Sequence, residues 1–427
     1  MGKRIRRPAL GLAFAVASVF GAESGGAGTW ALLLWDKPIS PVVGAEDLYS
    51  LHRALYSVEE DVFAPAAGDS AESGAARDIP ARILRFLLLD LPLDYMPMLI
   101  QHEAFGHGYR LYEASYRNVS YGLHLPPPYG DGHGFALGTD LRRSVSRDQA
   151  IAISAAGMEA NDFFACTVRG KWMASGSMNN HEADLYLINA FNRSFYAART
   201  RLSVLQDGYG NDIQEYLRLV NLRHGDGTLD GRPMDIEDVQ LRMLVDVLDP
   251  FAFYALWTTL GEHLVHGRSR FVLPMPEISG IRFLPMAHAG LSPFGMEYYL
   301  ETLAARESRT LSVTYRQGDP GSDPFYGLGL DFGGLIDLAR LSADVRVEAW
   351  RQPRLRIGVY DAGELGETPE AMEPGFGLWT TLRTKTKIGL VLEAGYKTRG
   401  FVQGEPLEES LIIRSGISFF LPDHPIH

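Results

Sequence analysis

The chain has 427 residues, 46% hydrophobic and 22% charged, with a formal net charge of −12. That length accommodates two domains with cores of their own, and the acidic balance argues against a nucleic-acid binder, which needs a basic surface to meet phosphates. One cysteine, Cys166, rules out an intramolecular disulfide, so packing alone must hold the fold.

Residues 1–22 open with Lys3, Arg4, Arg6 and Arg7 and continue as a short apolar run from Ala9 to Ala22. This is the layout of a secretory signal peptide, and the run is short for a membrane-spanning helix; an uncleaved anchor is the alternative. A signal peptide implies a cell-envelope protein, resident in the periplasm or the outer membrane. Residues 23–80 read as an N-terminal helix and linker. Leu48, Leu51, Leu55 and Val58 recur at helical spacing, and residues 64–80 are rich in Ala, Gly, Ser and Asp.

Residues 81–275 are expected to form a helical domain. The apolar stretch 82–116 is broken by Pro92 and Pro97 and carries Asp90 and Asp94, which suits a buried, kinked helix better than a membrane span. Residues 117–145, with three consecutive prolines and many glycines, read as irregular. Ser146 and Gln149 fit a capping box that starts a helix running to about Val168. A further helix spans Asn180 to about Leu205, and two more lie between Ile236 and His266.

After about residue 285 the hydrophobic period changes from 3.6 to 2. Eight segments alternate, around 294–300, 310–316, 326–333, 341–348, 354–361, 376–383, 388–395 and 411–419. The fold class is therefore α+β: a helical metal-binding domain followed by an eight-stranded antiparallel β-barrel over 276–427. Leu390 and Leu392 alternate with Gly389 and Glu393, and Leu328 and Leu330 with Gly329 and Asp331. A membrane barrel turns such an apolar face to lipid and the polar face inward. A soluble barrel or sandwich does the reverse. Glycine on the polar side suits a crowded lumen, which favours the membrane barrel and outer-membrane lipid as a partner.

The chemistry-bearing segment is His102-Glu103-Ala104-Phe105-Gly106-His107. Two imidazoles can ligate zinc, and a glutamate beside them can act as general base on a water. The common spacing is H-E-x-x-H, which puts both histidines on one helix face. Here one residue is inserted, so in a regular α-helix the two rings point apart. A π-turn absorbs one extra residue, and Gly106 eases such a distortion.

The hexapeptide resembles the H-E-x-x-G-H motif of the dipeptidyl peptidase III family. That resemblance implies zinc held by His102 and His107, water activation by Glu103, a peptide or protein substrate, and a third ligand from a helix some fifty residues on. Glu159 lies 52 residues after His107 and stands in that place. The resemblance covers the hexapeptide and this spacing only; the rest of the chain differs from that family. An alternative set, Glu103, His107 and Glu159, needs no π-turn and is carboxylate-rich, favouring iron or manganese.

Asn161, Asp162, Asp90 and Asp94 are candidates to hold a ligating imidazole by its second nitrogen. For the developing oxyanion the candidates are His133, among glycines, and Tyr109, His124 and His181. The function implied is zinc-dependent hydrolysis in the cell envelope. The rival is an outer-membrane structural or transport protein whose helical module carries no metal.

Overall fold

The computed structural model describes residues 28–63, 78–200, 211–224, 232–306, 309–318, 324–358 and 371–422. The expected signal segment and most of the linker lie outside these residues.

A strand not anticipated from the sequence, β1 (Gly28–Trp35), leads into helix α1 (Pro41–Phe63). The apolar stretch then forms a helical run, α2, over 79–113. Within it, α-helical turns alternate with two wider π segments, Phe86–Asp90 and Gln101–His107. Residues 116–141, expected to be irregular, form an antiparallel hairpin of β2 (Tyr116–Leu123) and β3 (Gly134–Leu141). Its three prolines, Pro126 to Pro128, are confined to the connecting loop.

The capping box is present as the sequence indicates. Ser146 accepts from the Gln149 N–H and starts α3 (Arg147–Ser175), a 29-residue helix. A short strand β4 (Ser177–Asn179) precedes α4 (Asn180–Arg199). Helices α5 (Asp212–Arg223), α6 (Ile236–Met243) and α7 (Pro250–Leu256) follow, α7 continuing as a π segment, Trp257–Val265. No single helix among the described residues is long and apolar enough to cross a membrane; the bent pair Ile236–Leu248 and Pro250–Val265 passes only as two pieces at 71°.

Strand β5 (Arg270–Val272) pairs with β4. The C-terminal strands are β6 (Glu277–Ile278), β7 (Ile281–Ser292), β8 (Gly295–Arg306), β9 (Arg309–Gly318), β10 (Phe325–Asp337), β11 (Leu341–Pro353), β12 (Met372–Thr384), β13 (Ile388–Lys397) and β14 (Ser410–Pro422). They form an antiparallel meander from β6 to β14, and β1 pairs with β14 to complete a ten-stranded sheet.

This corrects the eight-stranded count and the closed barrel. Among the described residues the sheet has two edges, β1 and β6, and no ladder joins them. Strand β7 was missed because its buried half, 286–292, is apolar or small on both faces apart from His288 and shows no alternation. The expected strand at 354–361 is absent over 354–358; the remainder lies outside the described residues.

The sheet is inside out relative to a soluble one. Leu328, Phe376, Leu378, Leu390, Leu392, Leu411 and Ile413 are exposed. Their strand neighbours Lys397 and Arg414 are buried, with Glu405 of the loop between β13 and β14. The inward charges are paired. Arg414 reaches Asp36, Glu393 and Glu405, and Arg316 reaches Glu297 at 3.3 Å. Arg169 of α3 bonds Glu301 of β8 at 2.8 Å, so the helical layer meets the charged face and leaves the apolar face uncovered.

Candidate metal centre

The helix α2 crosses α3 at two glycines. A Cβ on Gly106 would stand 2.5 Å from the Ala156 carbonyl oxygen, and one on Gly157 would stand 2.2 Å from Nε2 of His102. The sequence offered Gly106 as a source of backbone freedom. Its φ is not in the left-handed region, and what the position requires is the absence of a side chain at the crossing.

Over Gln101–His107 the backbone hydrogen bonds are of the i→i+5 kind; the Gly108 N–H donates to the Glu103 carbonyl. Residues five apart then fall nearly in line. His102 and His107 accordingly lie on one side, ring centroids 5.0 Å apart. The inserted residue that breaks the usual spacing is absorbed as the sequence required.

Each ring is held by its Nδ1. For His102 the partner is the Asn161 side-chain oxygen at 2.8 Å, and Asn161 is itself fixed by donating to the Met98 carbonyl and to Asn189. For His107 it is the Ile153 carbonyl at 2.7 Å. With Nδ1–H donating, each Nε2 presents a lone pair, the arrangement found around ligating histidines. Of the sequence candidates for this supporting role, Asn161 fills it. Asp162 pairs with Arg193, and Asp90 and Asp94 belong to a different cluster.

The two Nε2 atoms converge on Asp212 Oδ2, at 3.2 and 3.3 Å. These three donors all lie within 4.8 Å of one another and could hold a metal ion. Tetrahedral ligands at about 2.0–2.1 Å from zinc stand about 3.3 Å apart, so the spacing fits. Two imidazoles and a carboxylate suit zinc, and the same set also suits iron(II).

Asp212 replaces Glu159 as the third donor, which corrects the sequence assignment. Glu159 is buried, but it faces the other way. Its carboxylate takes a two-pronged bond from Arg110, at 2.5 and 3.2 Å, and a bond from the Gly404 N–H. The small residues around it do mark a packed face, and that face anchors the loop between β13 and β14. The alternative set of Glu103, His107 and Glu159 fails for the same reason.

Asp212 was overlooked because helix α5 was not anticipated. Its signals are Asn211, whose side chain caps the Gln214 N–H, and the buried spacing Ile213, Tyr216, Leu217, Val220. An aspartate in the first turn has a sufficient cause in the helix dipole, so nothing in the sequence singles it out as a ligand.

The electrostatics bind the group together. Burial alone would lower the His107 pKa, but the Asp212 carboxylate outweighs it and pushes His107 up to about 9. Burial pulls Asp212 the opposite way; His107 and His102 overcome it and hold its carboxyl far below the usual range. Glu103 is buried beside them, and desolvation raises its pKa against the opposing pull of the two imidazoles. Its side chain lies against Gly134, the first residue of β3, where a Cβ would sit 2.6 Å from Glu103 Cγ.

His133 precedes that glycine but is exposed, with its backbone closing the hairpin onto His124 and Asp131. Tyr109 is buried against Arg110, His181 stacks on Tyr56, and His124 pairs with Asp131 at the surface. The Tyr196 hydroxyl accepts from the Asp212 N–H at 3.3 Å while its ring lies nearly parallel to His102.

No family model, curated protein or solved structure matches this chain.

Proposed function

We propose that the protein is a zinc-dependent hydrolase of the cell envelope, acting on peptide bonds, with His102, His107 and Asp212 as the metal ligands and Glu103 as general base. The observation that carries the reading is the convergence of two Nδ1-anchored imidazoles and one carboxylate on a single point, with a further desolvated carboxylate alongside.

A zinc ion held by His102, His107 and Asp212 would act as a Lewis acid, lowering the pKa of a water and polarising the scissile carbonyl. Glu103 takes the proton of the attacking water and returns it to the leaving amine. Burial raises its pKa above that of an ordinary carboxyl, which strengthens it as a base. Tyr196 is placed to donate to the developing oxyanion in the role first sought for His133. Glu103 beside the three donors supplies the general base that metal-assisted hydrolysis needs.

A peptide substrate is supported by the hairpin. Strand β3 pairs with β2 on one side only among the described residues, and its Gly134 touches Glu103. An extended peptide added to the open edge runs past the base with its amides hydrogen-bonded.

The inverted sheet supports outer-membrane residence. Its apolar outer face belongs against lipid and its paired charges inside, as in membrane barrels. The helical layer then occupies the interior that a closed barrel would enclose.

The test is Glu103→Gln. The variant retains the metal and loses peptidase activity by about 10²–10⁴-fold, as for removal of a general base. Unchanged turnover on a peptide library, or loss of the metal, refutes the assignment.

A further inference from the structure

Two other π segments, Phe86–Asp90 of α2 and the end of α7 over Trp257–Val265, enclose a second buried polar cluster. It holds three carboxylates, Asp90, Asp94 and Asp184, none more than 3% exposed, with His52 and His263 beside them. Partial satisfaction is evident. His52 Nε2 bonds Asp94 Oδ1 at 2.7 Å, the Tyr56 hydroxyl donates to that same oxygen at 2.7 Å, and Thr259 donates to Asp184 Oδ1 at 2.5 Å. Arg85 reaches Asp90 Oδ1 at 3.3 Å from a half-exposed position.

The remaining atoms are the informative ones. Oδ2 of Asp90, of Asp94 and of Asp184, together with Nε2 of His263 and Nδ1 of His52, are buried without a hydrogen-bond partner. Leaving such an atom unmet costs its full desolvation, and charged groups cost the most. Five orphans in one cluster are not a packing accident, since most buried polar atoms find partners. His263 Nε2 faces Asp90 Oδ2 at 3.7 Å, too long for a hydrogen bond and within the range of ligand edges, about 3–4 Å, around a first-row metal.

We propose that this cluster is a second divalent-metal site, in which Asp90, Asp94, Asp184 and His263 close around one ion and His52 orients Asp94. Three carboxylates and one imidazole form an oxygen-rich set, which suits manganese(II). Only the His102–His107–Asp212 group has three donors mutually within 4.8 Å among the described residues, so binding draws the Asp94 and Asp184 side chains inward.

Asp90 and Asp94 stand eight or more residues before His102 on α2, about 12 Å along the helix. Asp184 and Asn192 lie likewise on α4, where Asn192 donates to Asn161, the His102 anchor. An ion here ties α2 to α4 and α7 and fixes the helix pair that carries the zinc ligands. The site stands apart from the hydrolase reading, because it shares no donor with it.

The experiment is equilibrium Mn²⁺ binding by the metal-stripped full-length protein carrying His107→Ala, read as loss of the free Mn²⁺ resonance signal. That background removes the first site, so its failure cannot be mistaken for failure of the second. One Mn²⁺ is expected per chain, with at least 10-fold weaker binding when Asp184→Asn or, separately, His263→Gln is added. Absence of Mn²⁺ binding in the His107→Ala protein, or affinity unchanged in both added variants, overturns the proposal. Two variants from different helices guard against one that misfolds.

Discussion

At the residue scale, the centre depends on side chains that are not there. Gly157 lets the His102 ring lie on the α3 backbone, and Gly106 lets the π segment approach it. Gly157→Ala is expected to push the ring off its place and weaken zinc binding by about 10–100-fold, the range seen when ligand-orienting contacts are lost. Competition with a chromophoric chelator reads this directly, and unchanged affinity would count against the geometry.

His107 supplies a second test. Its pKa in the metal-free protein is raised to about 9 by Asp212, above the ordinary 6.5. The imidazolium–carboxylate pair therefore stabilises the metal-free protein fully below about pH 6.5, and this contribution is lost as pH rises through about 9. Thermal unfolding of the stripped protein should show Tm falling over that window, and Asp212→Asn should flatten it. A Tm that rises with pH there contradicts the pairing.

The convergence of His102 and His107 and the need for a π-turn were legible in the sequence because the two residues are close in the chain and their spacing is constrained by helix geometry. Asp212 was not. It lies 105 residues after His107, and its helix-start position explains an acid without any metal. Glu159 looked right by spacing and burial, and both were correct observations. What sequence cannot show is that Arg110, also buried, claims it.

At the element scale, the sheet's polarity is the feature that demands an environment. Strand β13 alternates exposed Ile388, Leu390 and Leu392 with buried Gly389 and Val391. Leu390 is 69% exposed. If this face meets lipid, Leu390→Lys destabilises the protein by about 2–4 kcal/mol near the bilayer midplane. At a water-exposed site the same change is near neutral. Folding titrations in lipid vesicles distinguish the two, and a neutral result removes the membrane assignment.

The strands with clean alternation were readable from their period. Strand β7 was hidden because the helical layer covers its second half, where both faces are apolar or small apart from His288. Strand β1 was hidden because its partner, β14, lies at the opposite end of the chain. The hairpin β2–β3 was masked by the prolines of its own loop. Its flanks Tyr116–Leu123 and Gly134–Leu141 expose large apolar side chains on a two-stranded unit that has no buried face of its own.

At the scale of the whole molecule, an open sheet with charges on its inner face needs something polar to face, and the helical layer supplies it. Arg169 to Glu301, Arg110 to the Glu405 carbonyl and Glu159 to the Gly404 N–H are the ties. The boundary near residue 276 marks a change of secondary structure, while these bonds and the β1–β14 pairing join the two parts. The catalytic reading places its base and ligands on α2 and α5, held by α3 and α4, within this helical layer.

The most direct measurement is anomalous diffraction at the zinc edge from crystals of the purified protein. The account predicts a peak about 2.0–2.2 Å from Nε2 of His102, Nε2 of His107 and a carboxylate oxygen of Asp212. The peak should persist in Glu159→Gln and vanish in Asp212→Ala. Density at Glu159, or none between the two imidazoles in zinc-loaded crystals, would contradict it.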